Sequence, residues 1–320
     1  MKSWRRAALP VSLAVMIAGS ASAEPGLWQR TRDPEAAKAY RLLVLGERAR
    51  VPASEVFDSS AMGELLSQRA VVMLQLAGAE QLADPRLDLF LGSAMVAAGD
   101  EYQEPGRRLL LRSLKRDPDA PDRSQAWFAV AIASSKLRDH ETELEAYTLA
   151  LRAEWVPEAR ATIFMNRGES RMAVGDLEAA MQDYRQALAL AQEPELTALA
   201  RWGLAVALER DADLPGALAM ARRAISVGLG PPDNPLWAID LPSVFFTPPY
   251  EVHYYRALGL MAQALDAEEP ALRARILLEA ARLWTAYLNQ AVEDESARWV
   301  DRAELNLDWC LNRSRKERSR

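Results

Sequence analysis

Residues that could carry out catalysis or hold a metal are sparse in this 320-residue chain, which contains two His and one Cys. A zinc site built from four cysteines, or from two cysteines and two histidines, is therefore excluded by arithmetic. His140-Glu141-Thr142-Glu143 lacks the second His of a zinc-protease motif, and the chain has no glycine-rich phosphate loop and no Gly-x-Ser-x-Gly segment. We therefore predict that the protein is not an enzyme and uses no metal and no cofactor.

Carboxylates are the one potentially catalytic side chain that the sequence supplies in quantity, with 45 Asp and Glu residues. A glycan hydrolase needs two of them facing each other across a cleft. The spacing identifies no such pair, because Asp117-x-Asp119 and Asp211-x-Asp213 fall where turns are predicted and where Asp caps helices. A hydrolase with an unrecognised carboxylate pair is therefore kept as an alternative.

The composition indicates a folded, helical protein. Half of the residues are hydrophobic, 26% are charged, and the formal net charge is −6. Ala, Leu, Arg and Glu dominate, which favours helices, and no basic face suggests nucleic-acid binding. The single Cys310 lies on a predicted helix, where we expect it to be a small buried hydrophobe. An intermolecular disulfide is the alternative.

The first 23 residues have the three parts of a secretory signal peptide. A start with three basic residues precedes an apolar run over 7–18, and Ala21-Ser22-Ala23 forms a small-x-small cleavage site. A membrane anchor is the alternative, but the run is shorter than the roughly 20 residues that a spanning helix needs. We expect cleavage, no integral membrane span afterwards, and a periplasmic or secreted protein.

Internal repetition is the strongest pattern in the chain. Tyr147-x-x-Ala150-Leu151 returns 37 residues later as Tyr184-x-x-Ala187-Leu188, and the same step leads to Ala221-x-x-Ala224-Ile225. A fixed period of this length is typical of stacked helix pairs, because one pair cannot bury both of its apolar faces alone. Two further sets follow the step: Asp139, Asp176 and Asp213, and the small residues Ala131, Gly168 and Ala205.

The clearest repeat predicts one helix over 161–174 and a second over 177–191, with Gly175 ending the first and Asp176 capping the second. Its small and aromatic positions resemble those of the tetratricopeptide repeat, namely Gly168, Gly175-Asp176, Ala180, Tyr184 and Ala187-Leu188. The chain departs from that pattern at Arg167, where Leu is usual, and at Ser134 and Arg171, where an aromatic residue is usual. The resemblance implies an all-α solenoid of helix pairs.

Further helices are predicted on both sides of the repeats, over 34–50, 62–83, 251–266, 270–291 and 296–312. The expected core positions in the first two are Leu42, Leu43, Leu45, Val71, Val72 and Leu74. The chain thus divides into a cleaved signal peptide (1–23), N-terminal helices with a degenerate repeat (24–118), three tetratricopeptide-like repeats (119–228), a loop insertion rich in Pro and aromatics (229–250), C-terminal repeat-like helices (251–314) and a basic tail (315–320). We expect the tail to be a frayed terminus, with docking to an acidic polymer or lipid as the alternative.

The resemblance implies that the first helix of each repeat lines a concave groove. We predict a partner-binding groove formed by Phe128, Ile132, Met165, Glu169, Trp202 and Val206. These residues are largely apolar, so the predicted occupant is an apolar helix or an extended peptide. A phase error of one residue would place them in the core instead, and that alternative is left open.

The segment from Gly228 to Tyr250 interrupts the repeats with six Pro, which forbid a continuous helix. Its aromatic residues make it too apolar for a disordered linker. Three alternatives are open for them, namely that they plug the concave groove, pack between the middle and last repeats, or contact a partner: Trp237, Phe245, Phe246 and Tyr250.

The resulting expectation is a non-catalytic exported scaffold that binds a protein or peptide partner in the bacterial cell envelope. The alternatives are a binding protein for a cell-wall or glycan ligand, with Glu169 and Glu209 accepting hydrogen bonds from sugar hydroxyls, and the glycan hydrolase.

Overall fold

The computed structural model describes residues 34–49, 59–80, 84–227, 234–241 and 244–319. Within these ranges the chain forms thirteen α-helices and one short 3-10 helix, Asp100–Tyr102, with no β-strand. The all-α prediction is confirmed. The predicted signal peptide and the start of the proline-rich loop lie outside the described residues. The helices are α1 Pro34–Ala49, α2 Ser59–Leu76, α3 Pro85–Ala98, α4 Gln103–Arg116, α5 Arg123–Lys136, α6 His140–Ala153, α7 Pro157–Val174, α8 Leu177–Leu190, α9 Pro194–Arg210, α10 Leu214–Ile225, α11 Glu251–Asp266, α12 Pro270–Ala291 and α13 Val300–Arg318.

Several predicted helix boundaries are wrong: α7 begins at Pro157 rather than 161, and α2 begins at Ser59 rather than 62. Two further differences have a local reason. Helix α2 ends at Leu76 rather than near 83, because Gly78 turns the chain with a φ of 71°. Helix α13 begins at Val300 rather than 296, because the Asp294 carboxylate accepts hydrogen bonds from both the backbone N–H and the hydroxyl of Ser296 and holds a turn there. It also continues to Arg318, so the expected frayed tail is helical up to that residue.

The described residues form two compact units, one ending at Ile163 and the other beginning at Phe164. In the first unit, helices pack in consecutive pairs: α1 with α2, α3 with α4 and α5 with α6. The connections within the α3–α4 and α5–α6 pairs are short, which favours antiparallel packing. The buried Asp88 of α3 ties its pair together, because its carboxylate accepts hydrogen bonds from Arg112 and Arg116 of α4.

The core of the first unit includes Val71 and Leu74 as expected, but Leu45 and Val72 are about half exposed, at 51% and 52%. The helical period explains the difference. Val72 lies about 100° around the helix from Val71, and Leu45 lies about 120° around α1 from the buried Ala39. Leu42 is half-buried, and the side chain of Leu43 lies outside the described part of the structure.

In the second unit, α9 packs with α10, α11 with α12, and α13 against α12. Its core is rich in aromatic rings that meet edge to face, with Tyr254 4.6 Å from Trp284 and 5.1 Å from Tyr287 between ring centres. The outer face of α13 is mostly charged, whereas Ser314 and Glu317 on its inner face are buried. A polar outer face of this kind is what the end of a helical repeat array requires.

The 37-residue period is visible in the backbone itself. Asp139, Asp176 and Asp213 each cap a helix by accepting a hydrogen bond from the N–H three residues on, at 3.2, 3.3 and 2.9 Å. The residue before each cap lies in the left-handed region, with φ of 59° at Arg138, 89° at Gly175 and 67° at Ala212. The predicted roles of Gly175 and Asp176 are confirmed.

The Tyr184 ring fills the space between three helices of the second unit. It lies 3.2 Å from where a Cβ of Gly168 on α7 would stand, and a Cβ on Gly203 of α9 would overlap the ring. Gly168 and Gly203 therefore allow these helices to approach closely around the ring.

The two departures from the repeat pattern on α7 form one ion cluster with α8. Arg167 and Arg171 both bind the buried Asp183 at 2.8 Å. Long charged side chains thus replace the usual apolar contacts between these two helices.

We expect Gly203→Ala to lower the free energy of unfolding, because the added methyl overlaps the Tyr184 ring and overpacking typically costs about 1–3 kcal/mol. Urea unfolding measures the change. The double variant Gly203→Ala/Tyr184→Leu is the control, and it should recover part of the loss. Additive effects of the two substitutions would contradict this contact.

We expect Ala212→Gly to raise the free energy of unfolding by up to about 1 kcal/mol, because the left-handed conformation strains Ala but not Gly. Ala219→Gly, at an exposed helical position of α10, is the matched control. It should lower stability by about 0.5–1 kcal/mol. Equal losses in both variants would show that Ala212 is not strained.

Candidate functional site

Four of the six predicted groove residues are buried in the core: Phe128, Ile132, Trp202 and Val206. Phe128 packs edge to face against Tyr147 of the next helix, with 5.8 Å between ring centres. Met165 is half-buried against the core of the second unit. The alternative of a one-residue phase error, which places the predicted groove residues in the core, is therefore the better description. Trp127, Phe164 and Arg201, each one position earlier, are only half-buried.

Glu169 is the predicted groove residue that stays exposed. The buried phenols of Tyr184 on α8 and Tyr255 on α11 each donate a hydrogen bond to its Oε2, both at 2.7 Å. Burial and the Glu169 charge raise the pKa of both tyrosines well above the usual value, so they remain neutral donors. Two fixed donors hold the carboxylate of Glu169 in one orientation.

Desolvation raises the pKa of Glu169 above the ordinary value of 4.5, although the side chain is accessible to solvent. Protein atoms crowd the carboxyl group and weaken its hydration. Arg210 and the two phenol hydrogen bonds act in the opposite direction, and the charge of Glu251 adds to the rise.

The charged side chains around Glu169 are paired with one another. Arg210 is buried, forms an ion pair with Glu251, and stacks between the rings of Tyr254 and Trp299 at 4.6 and 5.0 Å. Glu209 is fully buried and accepts hydrogen bonds from Arg302 and Tyr254. Glu209 therefore has no accessible oxygen for a sugar hydroxyl, and it cannot form the second carboxylate of a hydrolase with Glu169.

The described part of the proline-rich loop packs mainly on the helices of the second unit. Trp237 and Tyr250 are buried, and the Tyr250 hydroxyl donates to Asp294 at 2.9 Å. Leu236 from the loop meets Trp202 of α9 over Gly259 of α11. The packing alternative of the sequence analysis therefore describes Trp237 and Tyr250, which have little surface left for a partner.

Phe245 and Phe246 are placed differently from the other two loop aromatics. Phe246 packs edge to face on Tyr255, with 5.1 Å between ring centres, and Phe245 is 43% exposed. Both rings border an open depression of about 580 Å³ whose lining also includes Val244, Val252 and Arg256. We call Glu169, Tyr255, Phe246, Phe245 and this depression the Tyr255 surface.

Tyr255 joins the two ends of this surface, because its hydroxyl binds Glu169 and its ring contacts Phe246. The sequence analysis named Glu169 and both phenylalanines but missed Tyr255. Its contact with Glu169 spans 86 residues, which no local spacing reveals.

Other candidate chemistry is not supported by the described residues. They contain no group of three or more His, Cys, Asp or Glu side chains that could hold a metal ion. No described helix is long and apolar enough to cross a membrane. Cys310 is fully buried, which confirms the expectation of a small core residue, and burial raises the pKa of its thiol to about 12.

The comparisons with known proteins do not identify a family for this chain. No protein-family model matches the chain, and no curated protein matches it. It is similar to the solved structure described as "Crystal structure of APC/C hetero-tetramer Cut9-Hcn1", with a TM-score of 0.43 and 16% identity over 93% of this chain. The match spans 58% of that other chain.

The helix pairs and the caps that recur every 37 residues decide the fold class. The fold is a tetratricopeptide-like helical repeat. In this tetratricopeptide-like chain, the Tyr255 surface lies where the regular repeats meet the inserted loop and the C-terminal helices of the second unit.

We expect the Glu169 carboxyl to titrate above pH 4.5, because desolvation outweighs the opposing effect of its hydrogen bonds. A carbon-13 NMR titration of the side-chain carboxyls, assigned with Glu169→Gln, measures its pKa. Replacing both Tyr184 and Tyr255 with Phe should raise it further, because two donors to the charged form are lost. A pKa at or below 4.5 in the parent protein would contradict the crowded environment.

Proposed function

We propose that this protein is a non-catalytic scaffold that binds a protein or peptide partner at the Tyr255 surface. The carrying observation is the carboxylate of Glu169, which is exposed yet held in place by two buried phenols, one of which, Tyr255, packs on a ring that borders the depression. A preorganised contact loses little conformational freedom on binding, so more of its interaction energy appears as affinity.

The form of the surface supports a partner of protein character. Phe245 offers an exposed ring at an open depression, and partly exposed aromatic side chains are typical anchors of protein interfaces. The depression offers apolar contacts, and the Glu169 carboxylate, which connects to it through Tyr255 and Phe246, offers a polar one. Helix packing fixes Glu169 on α7 and the side of the depression formed by Val252 and Arg256 of α11.

The proposed site of action is the bacterial cell envelope. This part of the proposal rests on the features of the first 23 residues, which combine a basic start, a short apolar run and a small-residue cleavage site. Cleavage would leave a chain that starts at Glu24 and acts in the periplasm or outside the cell.

A glycan ligand is the second candidate. The exposed carboxylate beside an exposed aromatic ring is the observation that favours it, since sugars stack on rings and donate hydroxyl hydrogen bonds. The loss of Glu209 as an acceptor weakens this candidate, because its carboxylate is fully buried. A change in Trp fluorescence on addition of muropeptides, absent in Phe245→Ser, would support it against a protein partner.

We expect the tagged mature chain to retain a specific protein from bacterial envelope extract, and Phe245→Ser to retain much less of it. Both chains should have the same melting temperature, because Phe245 is partly exposed. The matched control is Trp155→Ser, which removes an aromatic side chain that is 82% exposed in the first unit.

Three outcomes would count against this proposal. Equal retention by parent and Phe245→Ser would exclude the Tyr255 surface. Loss of retention in Trp155→Ser alone would move the binding surface to the first unit. Retention only from cytosolic extract would contradict the proposed location.

A further inference from the structure

We propose that the Tyr255 surface binds a segment in which an Arg or Lys side chain lies within a few residues of an aromatic or aliphatic one. This inference rests on the proposed function and specifies the chemistry of the partner. The cationic side chain contacts Glu169, and the apolar side chain enters the depression beside Phe245.

The direct partners of the charged groups around the surface set one carboxylate apart, that of Glu169. Ion pairs join Arg210 to Glu251 and Arg302 to Glu209, so these four charges cancel in pairs. The third pair is Arg256 with Asp240, at 2.5 Å on the edge of the depression. Glu169 differs from all of these, since its direct hydrogen-bond partners are two neutral phenols.

The carboxylate of Glu169 still has an oxygen to offer. Both tyrosines donate to Oε2, and within the described part of the chain no donor contacts Oε1. A guanidinium or ammonium group donates to such an oxygen with a charge-assisted bond, which is stronger than a neutral one. The net charge of −6 also favours the approach of a cationic segment over an acidic one.

An acidic partner finds no equivalent contact here. Arg256 borders the depression, but Asp240 already binds it, and Asp240 also accepts a hydrogen bond from Asn234 at 2.9 Å. Both side chains of this pair are partly exposed, at 41% and 34%, so an acidic partner would have to compete with Asp240 for Arg256. The surface therefore discriminates between partners by charge.

The distance between the two ends of the surface sets the spacing in the partner. One tyrosine side chain connects them, with its hydroxyl 2.7 Å from Glu169 and its ring 5.1 Å from the ring of Phe246. An extended peptide advances about 3.3 Å per residue, so about three residues cover this path. The cationic and apolar side chains of the partner segment should therefore lie roughly two to four residues apart.

Selection from a random linear peptide library displayed on phage tests this inference, with the mature chain as target. Peptides selected on the parent should carry Arg or Lys close to an aromatic or aliphatic residue. Synthetic copies of selected peptides should bind Glu169→Gln about ten- to thirtyfold more weakly, the loss typical of one hydrogen bond to a charged group. Phe245→Ser should lose the apolar preference and keep the basic one.

A charge reversal provides a second, independent variant. Glu169→Lys should select peptides with Asp or Glu in place of Arg or Lys, since the same position now carries a positive charge. Thermal unfolding of every variant checks that the fold is retained. Trp155→Ser, on the first unit, should select the same peptides as the parent.

The possible failures separate this inference from the proposed function. Selection of acidic or purely apolar peptides by the parent would overturn the charge preference and leave a peptide scaffold in place. If Glu169→Gln and Glu169→Lys selected the same peptides as the parent, the charge preference would likewise be overturned and the peptide scaffold left in place. No enrichment of any peptide on the parent would overturn both.

Discussion

The packing of the Tyr184 ring is the constraint on which the second unit depends. The ring occupies space that Gly168 and Gly203 leave open, and its hydroxyl binds the carboxylate of Glu169. One side chain therefore sets the approach of three helices and also fixes the exposed acid. The core and the candidate site cannot be varied independently here, because any change that moves the ring also moves the carboxylate.

Other charged side chains of the second unit are buried in ion pairs. Arg210 and Glu209 are adjacent in sequence, and both are buried because each has an opposite charge from a later helix, Glu251 and Arg302 respectively. The described part of the inserted loop closes over this region with Trp237 and Tyr250. The loop thus completes the core of the unit, and it leaves the phenylalanine at 245 partly in solvent.

The sequence predicted those parts of the fold that depend on local rules. Helix α11 was placed at its observed bounds, and Asp176 was identified as a cap, because capping and periodicity act within a few residues. Most of the predicted groove residues lie in the core instead. A helix that is buried on most sides has no polar face in its sequence to show which side faces solvent. The role of Tyr255 could not be predicted, since its contact with Glu169 depends on how distant helices pack.

The residues with left-handed backbone conformation, at 138, 175 and 212, define points at which a chain of this kind can gain or lose a repeat. The backbone returns to the same conformation at each of them, and the next residue caps a helix in the same way. A segment cut between two of these points would leave matching ends. Whole modules of 37 residues could thus be gained or lost by recombination with little distortion of the joint, because each joint keeps its left-handed residue and its cap.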